Sequence, residues 1–269
     1  MHEVAIGQHS DTNVRILIVA HKKDFATLPL ALKYAIAALR NYKITTPCVI
    51  VPDEFLVECR QVLAHTGISQ VEVLGENSFF SEEELESLKE NFGKRFGWVL
   101  QQLLKLRKMM RDDDKYWILV DADTLLLRPR NWLDDKGRHI LTPTYEFHEP
   151  YYKFLEGAGL VCIDHSLSFI PHHMFIDKNF LIQALTRIGV NDDKDLIELV
   201  KSADTTQESP FSIDYELYGQ YMHVFHPEKI NLAKWSNAGV QRPENTCEIE
   251  RIAERLTSNF ASVSFHDYL

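Results

Sequence analysis

Short apolar runs alternating with helical periodicity organise the first half of the chain. Residues 15–21, RILIVAH, are apolar and rich in β-branched side chains, which predicts a strand buried on both faces. Residues 25–39 then read as a helix, and residues 48–51 as a second strand ended by Pro52-Asp53. Residues 54–65 read as a helix closed by Gly67, and residues 71–74 as a third strand. Strands alternating with helices predict βαβ units, hence an α/β fold with a mainly parallel central sheet flanked by helices. Ligands of such sheets bind outside the carboxyl ends of the strands. His21, at the end of the first run, is therefore a candidate ligand contact.

Two more helices follow, an acidic one at residues 81–91 and a longer one at residues 97–110. Ser81 and Glu84 have capping-box spacing. Residues 116–120, YWILV, predict a fourth strand that runs directly into Asp121-Ala122-Asp123-Thr124. The second half is less regular. Strand-like pieces stand at residues 139–142 and 160–163 and in SFIPHHMFID at residues 168–177. Helices are predicted near residues 178–188, 195–202, 214–223 and 248–258, and a last strand at residues 261–266. Without a repeat, a low-complexity tract or a long linker, the chain reads as a single domain over residues 1–269.

Composition narrows the chemistry. Apolar residues make up 45% of the chain, enough for a full core, and the formal net charge is −10. Such an acidic chain is a poor match for nucleic acid or an anionic membrane. The one basic cluster, Arg107, Lys108 and Arg111, reads as a solvated helix face. The four cysteines are scattered without CxxC spacing, and Cys48 and Cys162 lie in apolar runs as small core residues. This pattern predicts a reducing, cytoplasmic setting and no structural zinc. No apolar run approaches the roughly 18 residues of a membrane span, and residues 1–13 carry no signal-peptide core. Peripheral contact with the inner face of a membrane stays compatible with these features.

The strongest chemical signal is Asp121-x-Asp123 at the end of a buried strand. Two carboxylates on an apolar strand repel each other and are costly to desolvate, and a divalent cation removes the repulsion. In an extended segment alternate side chains share a face, so both can meet one ion. Mg²⁺ or Mn²⁺ accepts carboxylate and phosphate oxygens together. On the preceding helix, Trp98, Gln101, Gln102 and Lys105 share one face, while Val99, Leu103, Leu106 and Met110 occupy another that suits the sheet. A solvated face with an ordinary surface lysine is the plain alternative. His172 and His173 are neighbours in an extended segment, so one faces the cleft and the other packs. Pro171 beside them suits an edge or bulge that approaches substrate.

YWILVDADTLLLRP resembles the DxD strand of GT-A glycosyltransferases. Taken with GWVLQQLLKL, SFIPHHM and SIDYELYG, it resembles bacterial GT-A-like transferases associated with surface-polysaccharide genes. The resemblance runs from about residue 15 to the end of the chain. It implies a GT-A-like, Rossmann-like fold, with a nucleotide-sugar-binding half at residues 13–130 and an acceptor-binding half at residues 131–269. It implies metal-dependent transfer of a hexosyl or related sugar from a nucleotide-sugar to a glycan or glycolipid acceptor, with inversion. Asp121 and Ala122 then contact the donor together with His21, Trp98, Gln101, Gln102 and Lys105. Asp121, Asp123 and a late histidine, His266, hold Mn²⁺ or Mg²⁺. His172 and His173 fall to the acceptor.

An inverting transfer also needs a carboxylate to take the acceptor's proton. Asp214 or Glu216, at a helix entry with Ser212 as a plausible N-cap, fits that role; the helix dipole alone also favours acids there. Two other functions compete. A haloacid-dehalogenase-type phosphatase or phosphotransferase also uses Asp-x-Asp, but favours Thr or Val where Leu125 stands and uses the first strand of its fold. A non-catalytic nucleotide- or carbohydrate-binding module would keep the polar helix face and need no base.

Overall fold

Side chains of the first strand alternate between two buried faces. In the computed structural model, which describes residues 9–65, 67–68, 70–161 and 163–267, β1 (His9–Val19) sends Ile16 and Ile18 to one core and Leu17 to the other. The chain continues through α1 (Leu28–Ala38), β2 (Tyr42–Ile44), β3 (Cys48–Val51), α2 (Leu56–Ala64) and β4 (Glu72–Gly75). Next come α3 (Glu82–Phe92), α4 (Phe96–Arg111), β5 (Tyr116–Val120), β6 (Thr124–Leu126), β7 (His139–Leu141) and α5 (Glu149–Gly157). Then follow β8 (His173–Asp177), α6 (Lys178–Arg187), α7 (Asp193–Lys201) and α8 (Glu216–Phe225). The last elements are β9 (Ile230–Leu232), β10 (Asn237–Gln241), α9 (Thr246–Leu256) and β11 (Ser262–His266).

The central sheet has the order β4-β3-β1-β5-β8, with β2 beside the start of β1. Its first four strands are parallel and β8 is antiparallel to β5. α1 and α2 pack on one face; α3, α4 and α6 to α8 pack on the other. From β1 the chain winds outward to β3 and β4, then returns to the opposite side of β1 as β5. The crevice between the carboxyl ends of β1 and β5 is thus a topological switch point, where doubly wound sheets bind ligands. A second sheet, β10-β11-β6, packs its Val263 and Phe265 with α9 into a smaller core. It brings the end of the chain back to the DxD turn, where Phe265 N–H donates to the Asp123 carbonyl at 2.9 Å.

Several expectations need correction. Arg107 and Lys108 are not on a solvated face: they are 1% and 5% exposed. Arg107 donates to the Phe79 carbonyl at 2.6 Å and to Glu84 at 2.9 Å, and Lys108 reaches Glu72 at 2.9 Å. Acids on neighbouring elements bury this end of α4, which its own sequence could not reveal. Ser212 is no N-cap, because α8 begins at Glu216 with no side-chain cap. Of residues 168–177 only His173–Asp177 is a strand. Residues 160, 161 and 163 are irregular, and Cys162 lies outside the described residues. The capping box is present: Glu84 N–H donates to Ser81 Oγ at 3.2 Å, and Ser81 N–H to Glu84 Oε2 at 2.9 Å. Helix α5 and strands β2, β6, β9 and β10 were not anticipated. Among the described residues no helix is long and apolar enough to cross a membrane.

Candidate functional site

Asp121 and Asp123 open onto a cleft of about 610 Å³ at the β1/β5 switch point. They are not in an extended segment. Asp121 leaves β5, and Thr124 N–H donates to the Asp121 carbonyl at 3.0 Å, so Ala122 and Asp123 form a turn between β5 and β6. Both aspartates and Ala122 still line the cleft, because the turn reverses the chain there.

One wall of the cleft is built on Lys105, which α4 carries into the interior at 1% exposure. Its ammonium lies 2.9 Å from Asp121 Oδ1 and 2.7 Å from Asp214 Oδ2. Tyr215 Oη donates to the same Asp121 oxygen at 2.7 Å, and the Lys105 ammonium lies over the Tyr215 ring. Burial works against every charge here, but the two carboxylates outweigh it and hold the Lys105 pKa above its usual value. For Asp121, burial is likewise outweighed by Lys105 and His172, which hold its carboxyl well below the usual range. Gln102 supports this wall: its Oε1 accepts the Ile213 N–H at 2.8 Å, fixing the turn that carries Asp214.

A second wall, lined by Asp24, Asp123 and His266, is held by Arg242. Its guanidinium donates to Asp24 Oδ1 at 2.6 Å and to Asp123 Oδ2 at 3.3 Å. His266, placed by β11, brings Nδ1 to 4.0 Å from Asp123 Oδ2. Burial, then the Asp121 charge, push the Asp123 pKa up to about 6, only partly opposed by His172 and Arg242. Burial, with His172 nearby, lowers the His266 pKa and keeps its imidazole neutral.

His172 joins the walls. Its Nδ1 is 3.2 Å from Asp121 Oδ2 and its Nε2 is 3.4 Å from Glu146 Oε1. Burial opposes its charge, but those two carboxylates raise its pKa to about 10. Its φ of 61° lies in the left-handed region, an uncommon conformation outside glycine. The segment before it is clamped by α8. Glu216 accepts from Ser168 Oγ at 3.1 Å and Phe169 N–H at 3.0 Å, and a Cβ on Gly219 would overlap Phe169.

The cleft therefore gathers Trp98, Gln101, Gln102, Lys105, Asp121, Ala122, Asp123, His172, Asp214 and His266. Three candidates stand elsewhere. Glu216 is fully buried, with its carboxylate committed to the 168–169 segment and Gln220, and does not line the cleft. His173 is buried between Trp132 and Trp235, and burial with Arg130 nearby drives its pKa far down, so it packs rather than meeting an acceptor. His21 turns its ring edge-on to Phe55 at 5.4 Å and does not line the cleft. Sequence reasoning missed Tyr215, Asp24, Glu146 and Arg242. Tyr215 lies within the quoted SIDYELYG block; Asp24 and Arg242 meet across 218 positions of chain, and no local pattern marks them.

The donor set has room for a divalent ion at one place. Asp121 Oδ1 already receives two donors, while Oδ2 keeps a lone pair beyond His172. Asp123 has an under-compensated carboxylate and His266 a neutral imidazole. Carboxylate and imidazole suit Mn²⁺ or Mg²⁺ when phosphate oxygens complete the shell. Among the described residues no three such side chains stand close enough to form a ready-made site. The set fits an ion that arrives with a diphosphate better than one held by protein alone.

A family model described as a family of unknown function, DUF6492, matches residues 30–158. A search of curated proteins returns no match. Solved structures do. The core-mannan synthase A (CmsA/Ktr4) of Aspergillus fumigatus, in its Mn/GDP form, superposes with a TM-score of 0.54 at 10% identity, over 86% of this chain and 78% of that one. The mannosyltransferase Ktr4p of S. cerevisiae gives 0.52 at 10% identity, over 86% and 74%. The galactosyltransferase LgtC, in complex with donor and acceptor sugar analogs, gives 0.50 at 14% identity, over 94% and 87%. At these identities the likeness establishes the fold: this chain has the GT-A glycosyltransferase architecture, with a mainly parallel central sheet flanked by helices.

Proposed function

We propose that this chain is a metal-assisted glycosyltransferase that moves a sugar from a nucleotide-sugar to a glycan or glycolipid acceptor in bacterial surface-polysaccharide synthesis. The observation that carries the reading is the acid pair Asp121 and Asp123 at the β1/β5 switch point of a GT-A sheet, faced by a buried lysine. Asp123, His266 and the outer oxygen of Asp121 would hold Mn²⁺ or Mg²⁺. When bound, the ion would neutralise the diphosphate and the charge developing on it as leaving group. The protein's own residues do the rest. Lys105, Asp214 and Tyr215 form a dry polar floor against which donor hydroxyls are oriented. Trp98, with the Arg95 guanidinium over its face and Tyr151 stacked beside it, forms a flat wall for the donor.

Inversion of the transferred sugar is part of the proposal and requires a base. Asp214 is badly placed for that work. It is 4% exposed, its Oδ2 holds the Lys105 ammonium, and its Oδ1 accepts Tyr215 N–H at 3.1 Å. A carboxylate so engaged is a weak proton acceptor, and Asp214 is reassigned to orienting the donor. A phosphotransferase that attacks through Asp121 is disfavoured, since Lys105 and Tyr215 hold Oδ1 and His172 pairs with Oδ2, and this compensation weakens the carboxylate as a nucleophile. Titration calorimetry with UDP-, GDP-, CMP- and dTDP-sugars, with and without Mn²⁺, tests the reading. Mn²⁺-dependent binding of one of them, with slow hydrolysis of that donor, is expected. Binding without any turnover would favour a silent module, and no binding at all would remove the proposal.

A further inference from the structure

Beside the cleft lies a second cavity of about 680 Å³, bordered by segments 142–146, 166–171 and 234–237. The two share Glu146, Ile170 and His172 in their linings, so they adjoin. The lining of the second cavity has a definite chemistry. Tyr145 on its rim is 86% exposed, far more than a ring with a packing role. Trp235 in its wall donates its indole N–H to Ser262 Oγ at 2.8 Å and already packs against Arg130, Trp132 and His173, so Tyr145 is the ring exposed for stacking. Around these rings stand the hydroxyls of Thr142, Ser166 and Ser236 and the amide of Asn237. A pyranose has the complementary surface: an apolar C–H face that stacks on an aromatic ring, and a rim of hydroxyls that donate and accept.

Glu146 stands at the junction. Among the described residues it is the carboxylate that lines both cavities. Asp214 is tied to Lys105 and Glu216 is buried elsewhere, whereas the Glu146 side chain is 56% exposed and pairs with the His172 edge at 3.4 Å. His172 keeps its left-handed backbone where its carbonyl accepts Asp121 N–H at 3.0 Å and its ring spans from Asp121 to Glu146. Such conformations persist where the surroundings over-determine them, and they gather at functional sites.

We infer that this second cavity seats a saccharide acceptor and that Glu146 is the carboxylate that takes the proton of its attacking hydroxyl. The inference rests on the nucleotide-sugar reading above. The acceptor oxygen bonds to the anomeric carbon of the donor as the bond from that carbon to the phosphate oxygen breaks. The electron pair leaves with the nucleoside diphosphate, and the hydroxyl proton passes to Glu146. His172 is a positioning residue that holds Glu146 at the mouth of the cleft.

Two surface variants of the full chain test this, with UDP and GDP plus Mn²⁺ as donor-side probes and lactose, maltose, cellobiose and N-acetyllactosamine as acceptor-side probes. Saturation-transfer NMR should detect at least one of these disaccharides on the wild-type chain. Tyr145→Ala should weaken that binding about tenfold while leaving nucleotide affinity unchanged. With that disaccharide and the donor identified by calorimetry, Glu146→Gln should lower kcat by roughly 10²- to 10⁴-fold, with acceptor KM little changed. Failure of all four disaccharides to bind, binding that survives Tyr145→Ala, or near-normal kcat in Glu146→Gln overturns the inference while the donor reading stands. A wild-type chain that binds no nucleotide overturns both.

Discussion

The two walls of the cleft are built on opposite principles. The Lys105 wall comes from α4, the end of β5 and the entry to α8, all anchored in the main core, and its charges are matched within the protein. The Arg242 wall comes from the loop after β1, the DxD turn and the loops around β11. There Asp24, Asp123 and Asp267 share one guanidinium, and Asp123 is left with a raised pKa of about 6. The difference assigns the labour. The first wall is pre-organised and has little to offer a metal ion. The second carries the less compensated acid, so in the proposed site Asp123 would contribute most of the charge that attracts a cation, with the outer oxygen of Asp121 completing it.

Removing the central charge of the first wall is expected to have the largest effect. Lys105→Met leaves Asp121 and Asp214 facing each other without a counter-ion, and urea denaturation should show a loss of about 3 to 5 kcal/mol. A loss below about 1 kcal/mol would mean that water already reaches these acids. The second wall should respond differently. Asp123→Asn relieves repulsion, so its stability should hold or rise slightly. Its Mn²⁺-dependent nucleotide affinity should fall more than about tenfold, since even groups hydrogen-bonded behind a metal ligand cost that much. EDTA should then weaken nucleotide binding to the wild-type chain and leave this variant unmoved; equal EDTA sensitivity would contradict the assignment.

Two controls mark the edges of the comparison. Glu216→Gln disturbs the clamp that α8 places on residues 168 and 169, which should cost about 1 to 3 kcal/mol of stability. Transfer per folded molecule should persist, and a loss of kcat without a loss of stability would return Glu216 to the chemistry. His21→Ala removes a ring that contacts Phe55 outside the cleft. Thermal unfolding and donor affinity should both stay near wild type, with a stability change within about 0.5 kcal/mol.

Reading the chain by its periodicity worked best where each element is buried by its own sequence. The first four strands of the sheet, α3 with its capping box, and the DxD acids at a strand end were all legible, because β-branched runs and 3.6-residue spacing report burial directly. The facing of Trp98, Gln101, Gln102 and Lys105 toward the DxD was legible too, since one helix face and one strand end sufficed to place them. The second half resisted. Its strands are three to five residues long, its sheets are closed by pairings such as β6 with β11 across more than a hundred residues, and short segments give weak periodic signals.

The sequence by itself determined the α/β alternation, a ligand-binding edge at the carboxyl ends of the strands, and the presence of two acids at one of those ends. Those follow from local patterns and from the handedness of βαβ connections. Only the tertiary structure decided what each charge is for. Lys105 and Arg107 lie two residues apart on α4 and look alike as a basic stretch. One enters the cleft between Asp121 and Asp214, and the other is sealed against Phe79 and Glu84. Likewise the pKa of Asp121 is pushed down and that of Asp123 up because burial is outweighed by Lys105 and His172 at the first and not by His172 and Arg242 at the second. Long-range electrostatics depends on distance in space, which the order of residues does not contain.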